Sequence, residues 1–290
     1  MRAGRKGSMG ARCFSTSCAV SLVALAAMIS EGKAGTTPFS AGGSSAVFDP
    51  AQGGLTSWTV DGTVNQLALQ NFWFNVGGNN LALSSLGSPS VTVATDSAST
   101  STLTAIYGST AFNVTLTYTL TDFGNGSADI GESIGIQNNR PSALNLSLIQ
   151  YSDFNLDGTP GGDTAELTMD PFWGRFLAAT QWKGTTEVSS TVEQSAITPE
   201  ADLGEVDGNG GLYSRISSGA YSLNSNNSGP VTGSDVSWAL QWDLSLGGMG
   251  TTGISEQNEI AGLAVPEPST FAIAFLGLFG LGLRFCGRRA

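Results

Sequence analysis

The sequence predicts an all-β protein: an antiparallel β-sandwich of jelly-roll type, bracketed by an N-terminal signal peptide and a single C-terminal transmembrane helix. Three observations predict it. Charged residues are only 12% of the 290-residue chain while glycines number 39, and low charge with many β-branched residues and turn formers suits sheet better than helix. Several runs alternate apolar and polar residues with a period of two. Stretches rich in Gly, Asn, Asp and Pro separate those runs at short intervals.

The strongest alternation is Phe112, Val114, Leu116, Tyr118 and Leu120 against Asn113, Thr115, Thr117 and Thr119. Val236, Trp238, Leu240, Trp242 and Leu244 alternate with Ser237, Ala239, Gln241 and Asp243, and Leu144, Leu146 and Leu148 repeat the pattern. Strict alternation puts one set of side chains on a buried face and the other in water, as in antiparallel sheets with one wet face. Weaker strands are expected over 67–76, 91–95, 102–107, 133–137, 165–169, 175–182 and 213–216, with a short helix within 198–206. The connections, such as Val76-Gly-Gly-Asn-Asn80 and Asp207-Gly-Asn-Gly-Gly211, are rich in residues that accept the positive φ of tight turns. Many short strands with frequent turns point to a sandwich. The expected organisation is a signal peptide over 1–34, a β-sandwich over 36–246, a spacer over 247–264 and a C-terminal segment over 265–290.

The N-terminus is basic through Arg12, then mostly apolar or small from Cys13 to Ile29, and Gly32-Lys33-Ala34 places small residues at −3 and −1 of a cut after Ala34. This is the order of regions in a secretory signal peptide. At the other end come Pro266-Glu267-Pro268, an uninterrupted run of apolar residues and Gly from Phe271 to Leu283, and a basic cluster of Arg284, Arg288 and Arg289. Extended to Cys286, the run rises roughly 24 Å as a helix, marginal against a ~30 Å hydrocarbon core. The flanking arginines can snorkel, and they place the body outside the cytoplasm. The two prolines keep the preceding segment extended and open to an enzyme.

This C-terminal constellation resembles the PEP-CTERM sorting signal of Gram-negative bacteria. The resemblance rests on Pro266, Glu267 and Pro268, the apolar helix over 271–286, and Arg284, Arg288 and Arg289. It implies export, signal-peptidase cleavage, transient insertion at the inner membrane, and processing by an exosortase-like enzyme near the motif. Release to the cell surface or the extracellular matrix follows, in a setting of exopolysaccharide and biofilm. The body also resembles other proteins with this tail, over Trp58-Thr-Val-Asp-Gly62, Phe72-Trp-Phe74 and Tyr151 to Leu156; that likeness implies no activity.

Composition excludes several chemistries. The chain has no histidine, and Cys13, Cys18 and Cys286 all lie in the targeting segments. The body therefore has no Ser-His-Asp or Cys-His catalysis and no cysteine or histidine metal site. Between residues 36 and 265 four basic side chains (Arg140, Arg175, Lys183, Arg215) face 21 acidic ones, a net of −17. Such a body has no footprint for nucleic acid or anionic lipid.

The segment from Asp153 to Asp163 admits two readings. Asp153, Asn155, Asp157 and Gly158 match positions 1, 3, 5 and 6 of a calcium loop, with Asp163 a substitute for the missing bidentate Glu. The other reading is an acidic turn, and Pro160 disturbs the loop backbone. Ca²⁺ is the one cofactor this pattern suggests. Asp202, Glu205, Asp207 and Asn209 read as a solvated acidic loop. Among the tryptophans, Trp238 and Trp242 read as core, and Trp173, in Asp170-Pro-Phe-Trp-Gly174, as the aromatic facing a ligand. The expected function is that of an exported, non-enzymatic β-sandwich associated with exopolysaccharide at the envelope or matrix. The alternatives are a carbohydrate hydrolase using a carboxylate pair, or a purely structural matrix protein.

Overall fold

The computed structural model describes residues 35–62, 64–183, 192–219, 221–225 and 227–261. The expected signal peptide over 1–34 and the sorting tail, with Pro266, Glu267, Pro268, the helix over 271–286, Arg284, Arg288 and Arg289, lie outside the described residues. In chain order the strands are β1 (Thr37–Ala41), β2 (Ser44–Asp49), β3 (Gly54–Thr59), β4 (Leu67–Asn75), β5 (Asn80–Ala82), β6 (Ser90–Ser97), β7 (Thr100–Gly108), β8 (Phe112–Gly124) and β9 (Ser127–Asn138). They continue as β10 (Leu144–Phe154), β11 (Asp163–Met169), β12 (Phe176–Lys183), β13 (Val192–Ala201), β14 (Leu203–Asp207), β15 (Val231–Thr232), β16 (Ser237–Leu246) and β17 (Thr251–Ala261). Among the described residues one α-helix, α1, spans Leu212–Ser217. Among the described residues no helix is long and apolar enough to cross a membrane.

The strands form a nine-stranded sheet ordered β15-β11-β12-β13-β17-β9-β8-β7-β6, a five-stranded sheet ordered β14-β16-β10-β4-β5, and a three-stranded sheet β1-β2-β3. The named strand pairs are all antiparallel. The fold is thus sandwich-like. In β8, Phe112, Val114, Leu116, Tyr118 and Leu120 are buried and the intervening residues half-exposed, as the alternation requires. These side chains meet Phe72, Phe74, Leu146, Leu148, Phe154, Trp238, Leu240 and Trp242 of the smaller sheet in one continuous core. Trp238 stacks on Phe154, ring centroids 6.3 Å apart.

The five-stranded sheet buries both faces. Behind the main core, Trp73, Ile149, Tyr151 and Ala239 form a second apolar cluster under Leu212 and Ile216 of α1 and Leu223. That is why β4 and β10 carry near-continuous buried runs instead of alternating ones. The three-stranded sheet adds Phe39, Phe48 and Trp58 to the main core. Its β3 approaches β4 so closely that a Cβ on Gly54 would lie 1.9 Å from the Gln70 carbonyl oxygen; only glycine fits there.

Three expectations need correction. Residues 198–206 are not helical but form the end of β13, a bend at Asp202 and most of β14, because β14 completes the edge of the five-stranded sheet against β16. Residues 213–216 form helix instead of strand: Leu212 and Ile216, four apart, share one buried face, a spacing that a short run leaves ambiguous. The expected spacer over 247–264 contains β17, a central strand between β13 and β9. Its inward residues are Ile254, Glu256, Asn258 and Ile260; two of the four are polar, so the apolar alternation fades.

This packing separates two tryptophans. Trp238 is fully buried and Trp173 is 78% exposed. Trp238→Ala is expected to lower the unfolding free energy by about 3–5 kcal/mol, and Trp173→Ala to change it by less than ~0.5 kcal/mol, both read by denaturant titration.

Candidate functional site

The outer face of the five-stranded sheet carries a compact group of aromatic and acidic side chains where the α1 cover meets the strands. Alternation along β10 sends Ile149, Tyr151 and Asp153 to this face, while Leu148, Gln150 and Phe154 point to the core. Asn71 stands opposite Tyr151 in the ladder, and Trp73 opposite Ile149. Trp73, Tyr151 and Tyr213 form a three-ring cluster with edge-on contacts of 5.4 to 6.3 Å. Trp73 and Tyr151 are buried and Tyr213 of α1 is half-exposed.

Asp153 stands at the open end of this cluster. Its Oδ2 accepts a hydrogen bond from the Tyr151 hydroxyl at 3.2 Å, and its Oδ1 is buried without a hydrogen-bond partner. The Asp153 pKa is raised to about 7, first by burial and then by the charge of Asp235, against the opposing hydrogen bond from Tyr151. A half-buried carboxyl that changes protonation near neutrality, beside a second carboxylate and a tyrosine, can exchange a proton with a bound polar ligand. Asn71 Oδ1 is likewise buried without a partner.

The neighbouring acids do different work. Glu205 of β14 accepts from Arg215 at 2.8 Å, from the Tyr221 hydroxyl at 2.6 Å and from the Asn224 N–H at 2.8 Å. Arg215 also pairs with Asp207 at 2.6 Å and lies over the Tyr221 ring. Burial pushes the Asp207 carboxyl up, but the Asn209 N–H and Arg215 together hold it below its usual value. This charge-assisted network clamps α1 onto the sheet, where the sequence pattern suggested a solvated loop. The signal for it in the sequence is Arg215, the only basic residue between Lys183 and the C-terminal tail.

The four residues of the expected calcium loop have different surroundings. Asp153 faces outward with Tyr151. Asn155 precedes a 3-10 turn over Leu156–Gly158, and Asp157 takes a positive φ of 57° with its N–H donating to Gln66 Oε1. Asp163 turns inward and is fully buried, bonded by Lys183 at 3.0 Å, by Gln181 Nε2 at 3.0 Å and by the Leu156 N–H at 3.3 Å. Among the described residues no three acidic side chains are grouped to hold a metal ion.

Trp173 is at the tip of the β11–β12 hairpin, and the tip carries a second aromatic that sequence reasoning missed: Phe172 is 88% exposed. Asp170 fixes the tip, its Oδ1 accepting from the N–H groups of Phe172 (2.6 Å) and Trp173 (3.0 Å). The Asp170 carbonyl also accepts from the Gly174 N–H. The two exposed rings thus stand on a defined turn.

A carboxyl with a folded pKa raised to about 7 binds its proton more tightly in the folded state than unfolded. Its share of stability is present below an unfolded value of ~3.9 and is lost as pH rises through about 7. Asp153→Asn is therefore expected to remove part of the fall in Tm between those two limits, seen as a difference between wild-type and variant pH profiles.

Residues 264–289 match the family model of the PEP-CTERM protein-sorting motif. No curated protein matches the chain. The fold is similar to that of a candidate aldose 1-epimerase from Escherichia coli K12, with TM-score 0.50, 11% identity, and 79% of this chain and 99% of that one covered. A protein from Synechocystis sp. PCC 6803 is similar at TM-score 0.50 and 12% identity, covering 79% and 96%. At these identities the likeness concerns fold alone. The tail carries the motif by which such proteins are exported and sorted at the membrane to the cell surface, and the chain is a PEP-CTERM domain-containing protein.

Proposed function

We propose that the body is an exported glycan-binding β-sandwich that contacts extracellular polysaccharide through the Phe172–Trp173 hairpin tip. In this reading signal peptidase cuts after Ala34, and an exosortase-type enzyme processes the tail near Pro266-Glu267-Pro268. The domain is then left at the surface or matrix of a Gram-negative cell, without catalytic duty. The observation that carries the reading is the exposure of two adjacent aromatic rings on a turn that Asp170 holds in place. Large exposed aromatics carry a solvation cost that a ligand removes, and a rigid ring gives contact area at little entropic cost. An acidic body repels nucleic acid and anionic membranes, which leaves neutral or cation-bridged sugars as the matching class. The fold shared with a candidate sugar epimerase makes sugars the first ligands to test.

A second reading is favoured by Asp153. Its near-neutral protonation beside Asp235 suits an acid/base pair for glycoside hydrolysis, although such a site would work without histidine.

The test is retention of the exported protein on immobilised exopolysaccharide and on a glycan array. Binding that falls at least about tenfold in Phe172→Ala/Trp173→Ala, an effect of ~1.4 kcal/mol, supports the binding reading. Undiminished binding by that variant removes it. Release of reducing sugar that Asp153→Asn abolishes would establish the hydrolase instead.

A further inference from the structure

The least expected feature of the core is a pair of glutamates inside it. Glu132 of β9 and Glu256 of β17 are directly opposite in the ladder, both point between the sheets, and each is 3% exposed. Directly opposed side chains on one face have Cβ atoms about 4.5–5.5 Å apart. Tyr118 of β8 continues the row beside Glu132, also fully buried. The opposing sheet supplies Gln70, whose Nε2 donates to Glu132 Oε2 at 3.0 Å. It also supplies Gln150, fully buried, which together with Ser195 of β13 is close enough to Glu256 to lower its pKa.

The polar atoms here are conspicuously unmatched. Glu132 Oε1, both carboxyl oxygens of Glu256, Gln70 Oε1, and both amide atoms of Gln150 are buried without a hydrogen-bond partner, as is the Tyr118 hydroxyl. Native interiors satisfy nearly all such groups, and an uncompensated buried charge is far costlier than an unmatched amide. No basic side chain of the described body compensates these two. Lys183 is paired with Asp163, Arg215 with Glu205 and Asp207, and Arg175 with Asp202; Arg140 is exposed. Burial raises the pKa of both carboxyls, that of Glu256 to about 7, and the charge of Glu256 raises Glu132 further.

We propose that Glu132 and Glu256 form an internal site for one hard divalent cation of the calcium class, bound between the two sheets with Gln150 as a third oxygen donor. Two carboxylates balance a charge of two. The donor set is oxygen only, which suits calcium or magnesium and disfavours zinc and copper. Calcium tolerates irregular oxygen cages, whereas magnesium demands octahedral geometry and keeps several waters, for which a sealed core has little use. Gln70, hydrogen-bonded to Glu132, is the positioning residue. The site is separate from the Asp153–Asp163 segment and does not depend on glycan binding.

The exported full-length protein, dialysed against Ca²⁺ and then freed of loose ions, is assayed for bound metal and for Tm with and without EDTA at roughly pH 8, on the alkaline side of neutrality where carboxylate ligands are favoured over protons. About one calcium per chain is expected, with EDTA lowering Tm by at least about 5 °C and added Ca²⁺ restoring it better than Mg²⁺. Glu132→Gln/Glu256→Gln is expected to hold no ion and to ignore EDTA; Asp157→Ala is expected to keep both properties. Should the double variant not fold, Tb³⁺ luminescence of the wild type, sensitised through Tyr118, tests the same site: its presence supports the proposal and its absence counts against it. A wild-type protein without metal, indifferent to EDTA and Ca²⁺, overturns the proposal. A double variant more stable than wild type above neutrality does the same and assigns the neutralisation to protons alone.

Discussion

The five-stranded sheet is the constraint on which the remaining structure depends, because it must bury both of its faces. Its inner face meets the nine-stranded sheet through Trp238, Trp242, Phe72 and Phe154. Its outer face is apolar at Trp73, Ile149, Tyr151 and Ala239 and would cost several kcal/mol if left in water. A short helix and the loop after it cover that face. Six residues of helix cannot hold themselves in place, so the cover is tied down by Arg215 between Glu205 and Asp207. The candidate site adjoins this cover: Asp153 is half-buried beside Tyr151, which packs under it.

Charge scarcity shapes the molecule in the same way. With four basic residues against 21 acids in the body, three of the four are paired with acids. Lys183 neutralises the fully buried Asp163, Arg215 serves two acids, and Arg175 holds Asp202. Buried acids that receive no cation hold their protons more tightly, as Asp153, Glu132 and Glu256 do. The electrostatics of the site and of the core therefore share one cause.

Much of the fold is legible in the sequence. The alternation in β8 marks the sheet class, because one wet face leaves a period of two, and the large apolar residues of β16 put Trp238 and Trp242 in the core although both faces of that strand are buried. The exposed Trp173 is legible from its turn. Legibility fails where a strand's inward residues are polar, as in β17, and where pairing is decided by distant partners, as for β14 at the sheet edge. The three-stranded sheet at the N-terminal side is short and glycine-rich and leaves little periodic trace. The candidate site is half visible. Asp153 stands out for its place in an acidic run, but its actual neighbours, Tyr151 and Asp235, come from strand alternation and a contact 82 residues away in sequence. Glu132 and Glu256 lie in strands 124 residues apart, and nothing local marks them as a pair.

A clamped cover on a doubly buried sheet sets the chemistry of Asp153, and carbon-13 NMR titration of the Asp153 carboxyl measures this most directly. A midpoint near 7 in the wild type, falling towards an ordinary value of ~4 when Arg215→Ala releases the cover, is the expected result. A wild-type midpoint already at the ordinary value, or one that Arg215→Ala leaves unmoved, would contradict it.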